Sequence, residues 1–204
     1  MRVIQILPQL NIGGVERGTL DLSRALIEQG HESFVISGGG ILVDELIKSG
    51  AKHYEIPVHI KSLRTLYLAK SLSEKISSID PDIVHVRSRM PAWVNYRAFK
   101  MLQKKPLLIS TFHGLYSFPI YSKVMSFVDH SIAISKTVEM YILENYKLDK
   151  DDITVIPRGC DPIEFNNDVI NPVDKANIIK EFPQIVGKKI LTTPGRITKW
   201  KGVA

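Results

Sequence analysis

The chain has 204 residues, 44% hydrophobic and 24% charged, the balance of an ordinary folded soluble protein of one large domain or one domain with a fragment. Its single cysteine, Cys160, excludes an internal disulfide, and the longest apolar runs fall short of the roughly 18–20 residues that span a bilayer. The formal charge of +6, with an isoelectric point near 9.3, suits three kinds of partner: nucleic acid, an anionic membrane surface or a phosphorylated ligand. The basic residues are spread along helical stretches, as at Arg97, Lys100, Lys104 and Lys105, which also reads as solvated helix faces.

In chain order, Met1-Arg2 leads directly into a first apolar run, Val3–Leu7, too short and interrupted for a signal peptide. A reducing, cytoplasmic location is therefore expected. Six further strands are expected at Ser33–Ser37, Ile83–Val86, Leu107–Phe112, Ser131–Ile134, Thr154–Ile156 and Lys189–Thr192. Their nearly continuous Ile and Val content predicts strands buried on both faces of a parallel sheet. Helical periodicity fills the intervals. Glu16–Gln29 ends at Gly30, a residue suited to the position after a helix C-cap, and Leu63–Ser77 carries a broad apolar stripe. Pro91–Gln103 and Lys136–Tyr146 follow, the latter behind Ser135 as an N-cap. The alternation predicts an α/β fold with a doubly wound parallel sheet. The polar, turn-rich stretch from Asn166 to Pro172 marks a boundary. The expected organisation is a first domain over 1–165, a linker over 166–187 containing a short helix at Lys175–Phe182, and the opening of a second domain over 188–204.

The candidate site residues lie just past strand ends, where open α/β sheets bind ligands. Gly13-Gly14 at the first strand-to-helix turn permits positive φ and close approach of a ligand to the backbone. A plain turn is the competing reading, and the dinucleotide pattern G-x-G-x-x-G is absent. His113 follows the Leu107–Phe112 run and would face the same crevice, although a lone histidine is often a packing residue. Arg87 and Arg89, behind Ile83–Val86, suit an anionic acceptor or are exposed loop charges. Near the C-terminus, Gly195-Arg196 and Lys201-Gly202 follow an expected strand, and Arg with Lys is suited to grip phosphate. No serine elbow, Cys–His pair or metal-ligand cluster is present, and Cys160 has no obvious base and is read as inert.

In order along the chain, Gly13-Gly14-Val15-Glu16, Gln29-Gly30-His31-Glu32, Pro81-Asp82-Ile83-Val84-His85, Thr111-Phe112-His113-Gly114, Ile132-Ala133-Ile134-Ser135, Val155-Ile156-Pro157-Arg158-Gly159-Cys160-Asp161 and Gly195-Arg196-Ile197 with Lys201-Gly202 resemble the motifs of the retaining glycosyltransferases of family 4. That family has the GT-B architecture of two Rossmann-like domains. The resemblance implies a Rossmann-like, acceptor-side N-terminal domain and an incomplete donor domain. It implies transfer of a sugar from a sugar nucleotide to an envelope saccharide or lipid-linked acceptor with retention, as in lipopolysaccharide assembly. Gly13, Gly14, Arg196 and Lys201 would hold the donor phosphates, His113 would be catalytic, and Glu16, Arg87 and Arg89 would lie toward the acceptor. No cofactor or metal is expected, nor nucleic acid; a peripheral membrane contact and a separately encoded C-terminal half are compatible partners. With the donor domain missing, little transfer is expected from this chain alone. Alternative functions are a non-catalytic acceptor- or membrane-binding domain, half of a split enzyme, and a nucleotide-dependent oxidoreductase or epimerase on a similar fold. One departure stands out: the family usually reads Pro-Asn-Gly-Val-Asp where this chain has Pro157-Arg158-Gly159-Cys160-Asp161, read here as a subfamily trait.

Overall fold

The computed structural model describes residues 1–60, 65–116, 119–160, 162, 166 and 171–192. The chain divides into two units, 1–158 and 159–204. The first unit opens with strand β1 (Arg2–Ile6), helix α1 (Gly14–Glu28), β2 (Glu32–Ser37), α2 (Val43–Lys48) and β3 (Lys52–Glu55). It continues through α3 (Thr65–Ile79), β4 (Ile83–Val86), α4 (Arg89–Phe99), β5 (Leu107–Phe112) and the short α5 (Pro119–Ser122). It closes with β6 (His130–Ala133), α6 (Lys136–Asn145) and β7 (Ile153–Val155). The seven strands form one sheet in the order β3-β2-β1-β4-β5-β6-β7, every pair parallel.

Neighbouring residues of one strand serve opposite faces, the geometry of a pleated sheet covered on both sides. Phe34 and Ile36 of β2 join Ile4 and Ile6 of β1 in a core shared with Leu72 and Ile76 of α3 and Val94 and Ala98 of α4. Val35, between them, joins Leu20 of α1 and Leu46 of α2 in a second core. The expected doubly wound α/β fold is therefore present.

The helix ends follow local chemistry. Gly30 adopts φ 76, and the N–H groups of Gly30 and His31 donate to the carbonyls of Ile27 and Leu26, at 2.9 and 2.8 Å. This crossed pair closes the last turn of α1, and the positive φ favours glycine there. Ser135 caps α6 by accepting from the Val138 N–H at 3.2 Å.

Three elements were not expected from the sequence. β3 is Lys-His-Tyr-Glu, an edge strand with no fully buried residue, so hydropathy gives it no signal. α2 and α5 are only 6 and 4 residues long, below the window in which periodicity can be read. One expected element is corrected: Lys189–Thr192 forms no strand. A strand needs a partner's backbone, and no described segment of the second unit pairs with this one; Leu191 is 100% exposed. That unit contains α7 (Pro172–Glu181), entered through Asn171, whose side chain accepts from the Val173 N–H at 2.9 Å.

Candidate functional site

The strand order reverses direction of growth between β1 and β4, the switch point outside which open α/β sheets form a ligand crevice. The turn into α1, the residue after β4 and the residue after β5 all reach this place. A side chain from just beyond β7 joins them: Arg158.

Gly13 is the N-cap of α1 and Gly14 its first residue. The expectation that the pair exploits positive φ is not met. Gly13 has φ 176, an extended conformation open to any residue, and Gly14 already belongs to the helix. The glycines instead permit close approach by the chain's own charged side chains. A Cβ on Gly13 would lie 2.3 Å from Glu16 Oε2, and one on Gly14 would lie 2.8 Å from Arg158 Nη1. Glu16 thus folds its carboxylate back over the positive end of α1, the favourable end for an acid.

Arg158 links the two expected halves of the site. Its Nη1 donates to the Gly14 carbonyl, and its Nη2 lies 3.2 Å from His113 Nδ1. A guanidinium only donates, so Nδ1 of His113 accepts and its proton resides on Nε2. That Nε2 is closed off from solvent and has no partner among the described residues. Burial first, then the Arg87 and Arg158 charges, hold His113 down to about 3, so it is a neutral donor at neutral pH. The His113 backbone N–H donates to the Tyr116 hydroxyl at 3.3 Å, which ties the residue to the wall of aromatic rings around Phe112.

Arg87 is 6% exposed. Its Nη1 donates to Gln5 Oε1 at 2.7 Å, and its Nε has no partner among the described residues. Gln5, the one polar residue in the interior of β1, is wholly buried and spends its Nε2 on the Thr19 carbonyl at 3.1 Å and Ser23 Oγ at 2.9 Å of α1. The central strand, the first helix and the buried arginine are thereby joined. Burial, then Arg158, brings Arg87 down to about 10, against the pull of Asp21 and Glu16.

Arg89 is placed differently from Arg87. Its guanidinium lies over the rings of Tyr116 and Tyr121, 5.0 and 5.5 Å from their centroids, with Nη1 3.4 Å from Ser122 Oγ. His85 is a core residue, its Nε2 2.7 Å from Thr111 Oγ1. Arg196 and Lys201 lie outside the described residues. The structure thus brings together Gly13, Gly14, Glu16, Arg87 and His113. Sequence reasoning missed Arg158, Gln5 and Gly18, although two of them carried a signal: Arg158 as the departure from the family motif, Gln5 as an isolated polar residue inside an apolar strand. Among the described residues no group of three His, Cys, Asp or Glu side chains is arranged to hold a metal ion.

A family model described as Glycosyltransferase Family 4 matches residues 12–164. A glycosyltransferase of known structure from Rickettsia africae ESF-5 is 33% identical, with a TM-score of 0.79 over 98% of this chain and 54% of its own. A phosphatidylinositol N-acetylglucosaminyltransferase subunit of Homo sapiens is 25% identical over 185 residues, covering 83% of this chain and 38% of the human protein. Anabaena Alr3699/HepE, solved in complex with UDP-glucose, shares 14% identity with a TM-score of 0.72 over 90% of this chain and 50% of that one, a likeness of fold. The chain thus spans about half the length or less of these proteins.

Proposed function

The chain belongs to glycosyltransferase family 4, and from that premise we propose that its first unit is the acceptor-side half of a sugar-transfer cleft. The observation that carries this reading is the meeting of the α1 N-terminus, Arg87, Arg158 and His113 at the switch point of the sheet. A sugar nucleotide would lie with its diphosphate against the Gly13-Gly14 turn; the phosphate role expected of Arg196 and Lys201 falls outside the described residues. His113 would act through Arg158, whose Nη2 lies 3.2 Å from its Nδ1, holding that guanidinium toward the bound donor. An acceptor, saccharide or lipid-borne, would enter past Glu16, Arg87 and Arg89. The human relative named for phosphatidylinositol and the Anabaena structure with UDP-glucose support these two ligand classes.

In the reaction, the bond from the anomeric carbon to the diphosphate oxygen breaks, and the acceptor oxygen bonds to the same face of the sugar. The acceptor's proton passes to the departing phosphate. The protein's share is positioning and stabilisation of the charge on the leaving group, supplied by arginine and lysine without a metal or cofactor.

The experiment is turnover of labelled sugar nucleotides by the 204-residue chain alone and by the chain joined to the part of the Rickettsia africae glycosyltransferase that lies outside the 54% this chain covers. Little transfer is expected from the chain alone and measurable transfer from the chimera. Robust turnover by the chain alone would refute the half-site reading, and an inert but folded chimera would refute the transferase reading.

A further inference from the structure

Two guanidinium groups from different elements converge on one point beside α1. A Cβ placed on Gly18 would lie 3.2 Å from Arg87 Nη2 and 3.8 Å from both Nη1 and Nη2 of Arg158. Any side chain at position 18 would fill that point. Among the described residues, neither arginine has a carboxylate within salt-bridge distance. Asp21 and Glu16 act on Arg87 only at longer range. Like charges held side by side, one of them desolvated, raise the free energy of the folded state, and an anion between them lowers it.

The donor inventory fits this occupant. Among the described residues, Arg87 commits one N–H to Gln5 and leaves its Nε unpartnered. Arg158 commits one N–H to Gly14 and one to His113. With five N–H donors on each guanidinium, both retain donors for oxygen. Arg158 is exposed and open to a ligand, while Arg87 lies behind it in a desolvated position where its contacts are stronger.

We propose that Arg87 and Arg158 form a clamp for a phosphoryl group over the first turns of α1, with Gly18 keeping the space between them open. The phosphoryl group comes from the diphosphate of the sugar nucleotide or from a phosphate carried by the acceptor. The proposal rests on the reading of this crevice as a transfer cleft, and it adds Arg158 to the residues that touch substrate. The departure from the family motif at Arg158 then has a chemical purpose: it sets a second, exposed cation beside Arg87.

The test is calorimetric titration of the 204-residue chain at low ionic strength, with inorganic pyrophosphate in one arm and glycerol phosphate in the other. Saturable binding is expected in at least one arm, weakened by added salt. Tighter pyrophosphate binding assigns the clamp to the donor, and tighter glycerol phosphate binding assigns it to the acceptor. Arg158→Gln, at an exposed position, should weaken binding about tenfold or more, and Arg158→Lys should restore part of it. Arg87→Met should weaken binding as well in a chain whose circular dichroism is unchanged. Absence of saturable binding in both arms, or equal binding by the Arg158→Gln chain, overturns the clamp. A chimera that fails to transfer sugar while the chain still binds phosphate refutes the transferase reading and leaves the clamp standing.

Discussion

At the scale of single residues, the site is an arrangement of charges that the fold holds against their mutual repulsion. Gln5 is the clearest structural support. Gln5→Ala removes the acceptor of Arg87 Nη1 and the donor to Ser23. Leaving a buried charged donor unpaired should cost about 3 kcal/mol, seen as a lower urea midpoint at constant slope; a change under about 0.5 kcal/mol would contradict the role given to Gln5. Arg87→Met should cost less stability than Gln5→Ala. It removes a desolvated charge but also leaves the buried Gln5 Oε1 without its donor, so the midpoint should fall by less than in Gln5→Ala while phosphate affinity falls. His113 sets a pH dependence. Its ordinary value of 6.5 applies in the unfolded chain, and about 3 applies in the fold. Between these values the unfolded chain carries one more proton. Stability is therefore lost as pH falls through that window, at up to about 1.4 kcal/mol per unit. His85 and His53, both lowered by burial, act in the same direction. Denaturant midpoints between about pH 6.5 and about pH 4 should fall less steeply for His113→Gln than for the native chain; identical slopes would remove His113 from the account.

At the scale of elements, sequence legibility followed length and burial. The helices over residues 14–28, 65–79, 89–99 and 136–145 and six of the seven strands match regions expected from the sequence, because each presents a run of apolar residues long enough to show its period. β3 escaped because an edge strand with polar residues has no hydropathy pattern. The helix ends were legible because caps are local: Gly30 and Ser135 act through backbone groups within a few residues. Ser135→Ala should cost about 1 kcal/mol, and Gly30→Ala, forced to φ 76, about 1–2 kcal/mol. Thermal unfolding of the two variants measures both. A melting temperature unchanged in Gly30→Ala would mean that the crossed hydrogen bonds at the end of α1 do not carry the turn.

At the scale of the whole molecule, every buried apolar residue of the described chain precedes position 159. A chain of residues 1–158 should therefore keep the denaturant midpoint and circular dichroism of the seven-stranded sheet, whereas loss of cooperative unfolding would show that the second unit contributes to the core. No described helix is long and apolar enough to cross a membrane. Amides of α7, whose residues are all exposed, should exchange with solvent far faster than those of β1, β4 and β5. The sequence by itself determined the α/β alternation, the parallel sheet, the family and the positions of Gly13, Gly14, Arg87 and His113 at strand ends, because hydropathy period and glycine turns are properties of neighbouring residues. Only the tertiary structure decided that Arg87 and Arg158 meet over Gly18, while Arg89 packs on Tyr116 and Tyr121. The physical reason is separation along the chain: 144 residues divide Gly14 from Arg158, and only the parallel crossovers of the sheet bring β1, β4, β5 and the end of β7 to one edge.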